Sequence, residues 1–279
     1  MKILSNIGER LGERLGIRAA NTAYYQTAVS DGIGAAELAA LREGDAREIE
    51  ALYRATTLAS IRPREGRARD LAQLIGTTVG EGLYICDALQ HALAIPGDIC
   101  EFGVAQGATS RLLARELLAD ARGQARSLWL FDSFEGLPRP TAKDRLLDDI
   151  FSLGSMAAYE GTMRCARSLV ETKLRDAGFP AERTRIKQGW VDQTIRESPL
   201  PAAVCFAYVD FDFYQPIADA LAWLDTVTVC GARVVVDDYG FFSEGAQLAT
   251  DEFVAAAGGR WKFSLPAPSA GKFALLERA

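Results

Sequence analysis

Tyr208-Val209-Asp210-Phe211-Asp212-Phe213-Tyr214-Gln215-Pro216 closes an apolar run that begins at Ala202. The run has the texture of a buried strand, and it breaks on two carboxylates one residue apart. Pro216 then suits the first turn of a helix, where a missing N–H leaves nothing unpaired. A second run behaves alike: Arg233-Val234-Val235-Val236-Asp237-Asp238-Tyr239-Gly240. Two buried strands therefore each end in a pair of aspartates. Set parallel and near one another, they bring four carboxylates to one edge of a sheet. Negative charge at that density calls for a cation, a shared proton or an unusual substrate.

Outward from this pair, strand-like and helix-like runs alternate from Pro96 onward. Strands are expected over 98–104, 127–131, 183–188, 203–209 and 232–236, and helices over 109–118, 162–177, 216–224 and 246–257. Segments 261–265 and 272–277, joined by Pro266-Ala267-Pro268-Ser269-Ala270-Gly271, read as a hairpin. The alternation predicts an α/β fold: a Rossmann-like, doubly wound, mostly parallel sheet with a C-terminal antiparallel hairpin. Residues 138–158 are polar and weakly patterned, and their length predicts a mobile lid or substrate loop closed by Tyr159. Upstream, 35–61 reads as a helix burying Leu38, Leu41, Ile49, Leu52 and Leu58. Residues 71–93 read as a helix in two pieces, split near Gly80 or Gly82. No strand pattern appears there, so 1–94 is expected to form a helical N-terminal cap and 95–279 the α/β domain. Leu4, Ile7, Leu11 and Leu15 share one helical face, suited to packing on the same domain or a partner subunit, or to a membrane surface.

The 279 residues are 49% apolar, enough for a large core. A net charge of −6 argues against a nucleic-acid binder held by a basic surface. No apolar run approaches the roughly 18 residues of a membrane span. The five cysteines (Cys86, Cys100, Cys165, Cys205, Cys230) lack metal-ligand spacing. An odd count without a signal peptide points to reduced thiols in a cytoplasmic protein.

The first strand ends in Glu101-Phe102-Gly103-Val104-Ala105-Gln106-Gly107, followed by a helix. Glycines here let backbone approach a ligand beside a helix N-terminus. The spacing is Glu-x-Gly-x-x-x-Gly, without the close glycine pair of dinucleotide sites, which counts against NAD. It is similar to the first motif of class I S-adenosylmethionine methyltransferases. Asp132 ends the second strand, placed either to accept the ribose hydroxyls of an adenosine ligand or to cap the next turn.

Asp132-Ser133-Phe134-Glu135-Gly136-Leu137-Pro138 is more specific. With it come the block 95–104, Lys187-Gln188-Gly189-Trp190-Val191-Asp192-Gln193-Thr194, and both acidic strand ends. In this order the blocks resemble the macrocin O-methyltransferase family, over about residues 70–279. Two features depart from the family pattern: the turn Ala105-Gln106-Gly107-Ala108-Thr109-Ser110, and Phe211, where relatives often carry glycine. The resemblance implies an S-adenosylmethionine-dependent, Mg²⁺-dependent O-methyltransferase acting on a sugar hydroxyl. It implies Asp210, Asp237 and Asp238 as metal ligands and Asp212 as general base. Glu101, Gly103, Gly107, Ser110, Asp132, Ser133, Gly189 and Trp190 fall where such enzymes hold the cofactor.

The chemistry fits those residue types. A sulfonium already carries its leaving group, so the difficulty lies in the acceptor hydroxyl, which a Mg²⁺ ion acidifies and a carboxylate deprotonates. A vicinal diol would complete an oxygen shell around the ion. Other readings are a catechol-type acceptor, a nicotinamide oxidoreductase or a cofactor-binding protein without catalysis. Trp190 either stacks on adenine or fills the core. Arg62, Arg64, Arg67 and Arg69 form a solvated face or meet a phosphorylated sugar. His91 reads as structural or surface-exposed rather than catalytic. The amphipathic start and the resemblance both point to a homo-oligomer.

Overall fold

The computed structural model describes residues 32–279 together with Gln26. The expected amphipathic helix at Leu4, Ile7, Leu11 and Leu15 lies outside the described residues. Contacts divide the chain into two units. One runs to Gln90 and includes Pro266–Gly271; the other comprises His91–Leu265 and Lys272–Ala279.

The first unit is built on α1 (Ala35–Thr56), α2 (Arg67–Leu71) and most of α3 (Val79–Ala92). α1 buries Ala46, Ile49 and Tyr53. It ends earlier than the expected residue 61, because the amides of Thr57 and Leu58 both turn onto the Tyr53 carbonyl. Leu38, Leu41 and Leu52 are only half-buried. The break before α3 falls over 72–78, which includes Gly76 at φ of 84°, and not at Gly80 or Gly82. Gly80 lies inside α3 for a packing reason: a Cβ there would sit 2.7 Å from Ala270 Cα. The Pro266–Gly271 loop is tied down around it. Ala267 N–H donates to the Tyr84 hydroxyl at 3.0 Å, Thr78 donates to the Ala270 carbonyl, and Tyr53 and Ser269 hydroxyls pair at 3.0 Å. The arginine group divides. Arg67 is fully buried against Glu50 at 2.8 Å and Arg64 pairs with Asp70 at 2.8 Å, while Arg62 and Arg69 are exposed. Two of the four are thus structural ion pairs rather than a solvated or phosphate-facing surface, and a buried guanidinium of this kind is held only by its partner.

In the second unit, β1 (Asp98–Phe102), β2 (Leu128–Asp132), β3 (Thr184–Gln188), β4 (Val204–Val209) and β5 (Thr228–Val236) pair in parallel in the order β3-β2-β1-β4-β5. β6 (Trp261–Ser264) and β7 (Ala274–Arg278) form the antiparallel hairpin, with β7 on β5. The expected doubly wound sheet and closing hairpin are therefore both present. The crossovers carry α4 (Ala108–Ala119), α5 (Arg167–Asp176), the short α6 (Val191–Thr194), α7 (Tyr214–Val227) and α8 (Glu244–Ala256). β4 reads as unbroken apolar sequence because all six of its residues are buried, as a central parallel strand demands. Phe102 and Phe131 stack at 4.6 Å between ring centroids, with Trp223 of α7 edge-on to Phe102 at 5.9 Å. All five cysteines are free, and Cys86, Cys100 and Cys205 are buried. Among the described residues no helix is long and apolar enough to cross a membrane.

The order reverses at β1, whose neighbours β2 and β4 lead the chain to opposite sides. Ligands of such sheets bind outside the carboxyl ends of the strands at that point. The backbone there is crowded. Gly103 has φ of 82°, and a Cβ on it would lie 1.7 Å from the Asp210 carbonyl oxygen. Gly103→Ala is therefore expected to destabilise the fold by roughly 3 kcal/mol or more, since backbone rather than a mobile side chain must yield. Urea unfolding of purified protein checks this, and a midpoint unchanged from wild type would contradict the close approach.

Candidate active site

The strand register brings the predicted residues to one edge. Phe102 lies level with Phe131 and Val209, and Val209 with Val236. The ladder then runs one step past the strands. Gly103 N–H donates to the Phe131 carbonyl, Asp210 N–H to Phe102, Asp237 N–H to Val209 and Gly189 N–H to Asp132, at 2.7–3.0 Å. Glu101, Gly103, Asp132, Gly189, Asp210 and Asp237 are thereby fixed by backbone pairing, before any side-chain contact is considered.

Asp210, Asp212 and Asp238 each offer a carboxylate oxygen within 4.8 Å of the others. Asp237 is turned aside. One of its oxygens accepts the Asp238 amide at 2.7 Å, and the other accepts the buried Tyr208 hydroxyl at 2.5 Å. That hydroxyl also lies 3.4 Å from Asp210 Oδ2. Sequence reading passed over Tyr208 as one apolar position in a buried run; only its hydroxyl, two residues before the acidic pair begins, hinted at a partner. Asp212 and Asp238 adopt positive φ angles of 60° and 56°. Both sit in tight turns, and a 2.5 Å bond from Phe213 N–H to the Phe211 carbonyl closes the first. Aspartate tolerates this region better than most residues, yet the conformation still costs energy and marks a functional turn. Phe211 does not project among the carboxylates: it packs edge-on against Phe102 at 6.0 Å, so the departure from the family pattern is absorbed by the core.

Burial dominates the electrostatics. It pushes the Asp210 carboxyl well above its usual range, and the charges of Asp237, Asp238 and Glu101 push it further. Asp238 is raised by burial and by Asp237 and Asp212. Asp212 is pushed up to about 8 by burial and Asp210, against the opposing pull of a hydrogen bond with Asp238. The donor set is all oxygen, which suits a hard divalent cation, and such an ion would neutralise the charge that now holds these carboxyls up. The residues present therefore fit a cation of the Mg²⁺ class.

On the β1 side, Glu101 is buried and burial pushes it up to about 8. The Ser110 hydroxyl and amide pull it back down, without a hydrogen bond of ordinary geometry reaching either carboxyl oxygen. Gly107, with φ of 75°, opens α4, and Val170 of α5 packs 3.2 Å from where its Cβ would be. Asp132 accepts the amides of Val104 and Ala105 on one oxygen, at 2.7 and 2.9 Å, and that of Phe134 on the other at 2.6 Å. It thus braces the glycine turn and caps its own. The Ser133 hydroxyl accepts Glu135 N–H at 3.0 Å within the same turn. Trp190 is half-buried at the start of α6, and His91 is exposed.

The segment expected as a mobile lid or substrate loop is tied at its middle to the chain before α8. Leu146 pairs with Ser243 across an antiparallel bridge, Leu147 N–H donates to the Phe242 carbonyl at 3.0 Å, and Glu244 N–H donates to the Arg145 carbonyl at 2.9 Å. Tyr159 is fully buried beside Phe213 and Phe242, and its hydroxyl donates to Asp149 at 2.6 Å. Loop-like composition concealed these ties because they are made by backbone groups and by single polar side chains. Sequence reading also missed Asp144, buried within that segment.

The macrocin-O-methyltransferase (TylF) family model matches residues 67–259. The 8-demethyl-8-(2,3-dimethoxy-alpha-L-rhamnosyl)-tetracenomycin-C 4'-O-methyltransferase of Streptomyces olivaceus is 29% identical over 175 residues, 61% of this chain and 65% of that protein. Mycinamicin III 3''-O-methyltransferase of Micromonospora griseorubida is 26% identical over 166 residues, 57% of this chain and 63% of that one. The chain thus spans slightly less than two thirds of these curated relatives. Among solved structures, the O-methyltransferase NovP matches with a TM-score of 0.59 at 22% identity, covering 72% of this chain and 80% of that one. CalS11, a calicheamicin methyltransferase, matches at 0.54 and 21%, covering 70% and 77%. These structural likenesses show the fold.

The raised carboxyls have a consequence for stability. Between about pH 4 and 8 the folded chain keeps protons on Asp212 and Glu101 that the unfolded chain has released, so stability falls as pH rises through that window. Carboxyls held low, such as Asp225 at about 2, act only at more acid pH. Metal-free protein is expected to unfold at lower urea near pH 8 than near pH 5.5, and saturating Mg²⁺ is expected to narrow the gap. A midpoint that rises between those pH values would contradict buried neutral carboxyls.

Proposed function

We propose that this chain, which belongs to the macrocin-O-methyltransferase family, moves a methyl group from S-adenosylmethionine to a hydroxyl of a sugar or sugar-bearing natural product. The observation that carries the reading is the gathering of Asp210, Asp212 and Asp238 at the carboxyl edge, one strand from the Gly103–Gly107 turn. The relatives support the acceptor class, since one is named for a mycinamicin and another for a rhamnosylated tetracenomycin.

In this reading S-adenosylmethionine supplies the activated methyl, and a divalent cation, held by Asp210, Asp237 and Asp238, lowers the pKa of an acceptor diol hydroxyl. Asp212 takes the hydroxyl proton on its carboxylate. A cation beside it would lower the Asp212 carboxyl from the raised position that burial and Asp210 give it, leaving a carboxylate free to accept a proton at neutral pH. Glu101, buried and close to neutral, gains its charge when a cationic ligand arrives beside it. The Gly103 and Gly107 turn admits that ligand without a Cβ in the way, and Asp132 keeps the turn rigid through the Val104 and Ala105 amides. Tyr208 holds Asp237 in one orientation.

A second division of labour has its own support: in this geometry Asp212, and not Asp237, groups with Asp210 and Asp238. Two substitutions separate the readings. With Asp212 as base, Asp212→Asn is expected to lower kcat by roughly 10²–10⁴-fold with cation affinity nearly intact. Asp237→Asn is expected to weaken cation affinity by about 10–100-fold. Both should leave S-adenosylhomocysteine binding by calorimetry near wild type. The opposite pattern assigns Asp212 to the cation. The reaction itself is tested by methyl transfer to a panel of glycosides and catechols before and after exhaustive chelation. Binding of NADH in place of S-adenosylhomocysteine would overturn the assignment, and full activity after chelation would remove the cation.

A further inference from the structure

α7 begins two residues after Asp212, and its N-cap, Phe213, has no side chain that can accept a helix amide. The first amide of that helix, Tyr214 N–H, instead donates to Asp144 Oδ1 at 2.6 Å, across seventy residues of sequence. The second oxygen of Asp144 accepts both the amide and the hydroxyl of Thr141, each at 2.7 Å. Asp144 is only 3% exposed, so it meets neither solvent nor ligand. The carboxylate also abuts the first turn of α8. A Cβ on Gly245 would lie 2.0 Å from Asp144 Oδ1 and 2.6 Å from Tyr214 N, and the Gly245 amide is itself held by Ser243 Oγ at 2.9 Å. α8 is likewise the next helix after Asp237 and Asp238, starting six residues beyond Asp238 where α7 starts two beyond Asp212.

We propose that Asp144 is a positioning residue that sets the spacing of the two acidic turns by binding the start of one following helix and seating against the start of the other. A carboxylate at the positive end of a helix is favourable in itself. Here it also opposes relaxation of the turn around Asp212, whose left-handed backbone would otherwise drift towards an easier conformation. Loss of the carboxylate removes the cap from α7 and opens space beside Gly245, so both turns gain freedom together. The role in catalysis rests on the methyltransferase reading above; the mechanical role does not.

Asp144→Ala and Asp144→Asn are compared with wild type in the full chain by amide hydrogen exchange, Mn²⁺ titration and steady-state kinetics. In Asp144→Ala, exchange is expected to rise by about tenfold or more at residues 212–214 and also at 238–241. Mn²⁺ affinity and kcat are expected to fall by roughly 10–100-fold, with KM for S-adenosylmethionine within about threefold of wild type. Asp144→Asn keeps an oxygen for Tyr214 N–H and should restore most of the loss, although its amide nitrogen cannot accept from Thr141. Faster exchange confined to residues 141–147, with both turns unchanged, would reduce Asp144 to a local loop tie and overturn the proposal. So would loosened turns with Mn²⁺ affinity unchanged. If wild type transfers no methyl group and binds no Mn²⁺, the methyltransferase reading fails separately, and exchange at the two turns alone decides the role of Asp144. Should Asp144→Ala not fold, Asp144→Asn carries the same comparison, with exchange at both turns expected to rise by about threefold.

Discussion

Like charges forced together set the terms for this molecule. Two carboxylates about 4 Å apart repel by roughly 4 kcal/mol at an effective dielectric of 20. Asp210, Asp212 and Asp238 bring oxygens that near, with Asp237 behind them on Tyr208. Main-chain bonds at the ends of β1, β4 and β5 are what hold them there. Those bonds are indifferent to side-chain charge, so repulsion cannot be relieved by sliding one strand. It adds to the burial that is the larger cause of the raised carboxyls, and protons relieve it, as a cation would.

Much of this was legible in the primary structure, for a definite reason. Runs such as 204–209 and 234–236 are apolar throughout because both faces of these strands are covered, and the first charge after such a run has to lie at the strand end. The positions of Asp132, Asp210 and Asp237 follow directly. The length of β5 was less visible: it begins at Thr228, and its first four residues, none of them fully buried, mix Val229 and Cys230 with Thr228 and Gly231. Residues 141–147 were opaque, since their ties go to backbone groups 70 to 100 residues away. Glycines misled in one place. Gly80 suggested a broken helix, but it is required by a neighbour, Ala270, that no local pattern can announce.

Roles within the site were harder to read than places. The sequence has four aspartates at strand ends and no means of telling which carboxylate faces its neighbours. That depends on the left-handed turns at Asp212 and Asp238 and on the Tyr208 hydroxyl, all decided by tertiary contacts. Asp132 shows the same overlap: one oxygen caps its own turn and the other serves the glycine segment beside it.

The Pro266–Gly271 loop has an implication of another kind, for the order of folding. Its contacts with Tyr53, Thr78, Gly80 and Tyr84 belong to the first unit, yet it leaves the ribosome about 175 residues after Gln90, where the rest of that unit ends. Tyr84 and Gly80 therefore wait, with an unfilled slot between them, through synthesis of every strand from β1 to β6. The helical part of the chain cannot reach its final packing as an early, autonomous module; its completion is deferred until the sheet is nearly whole, and these long-range contacts form late.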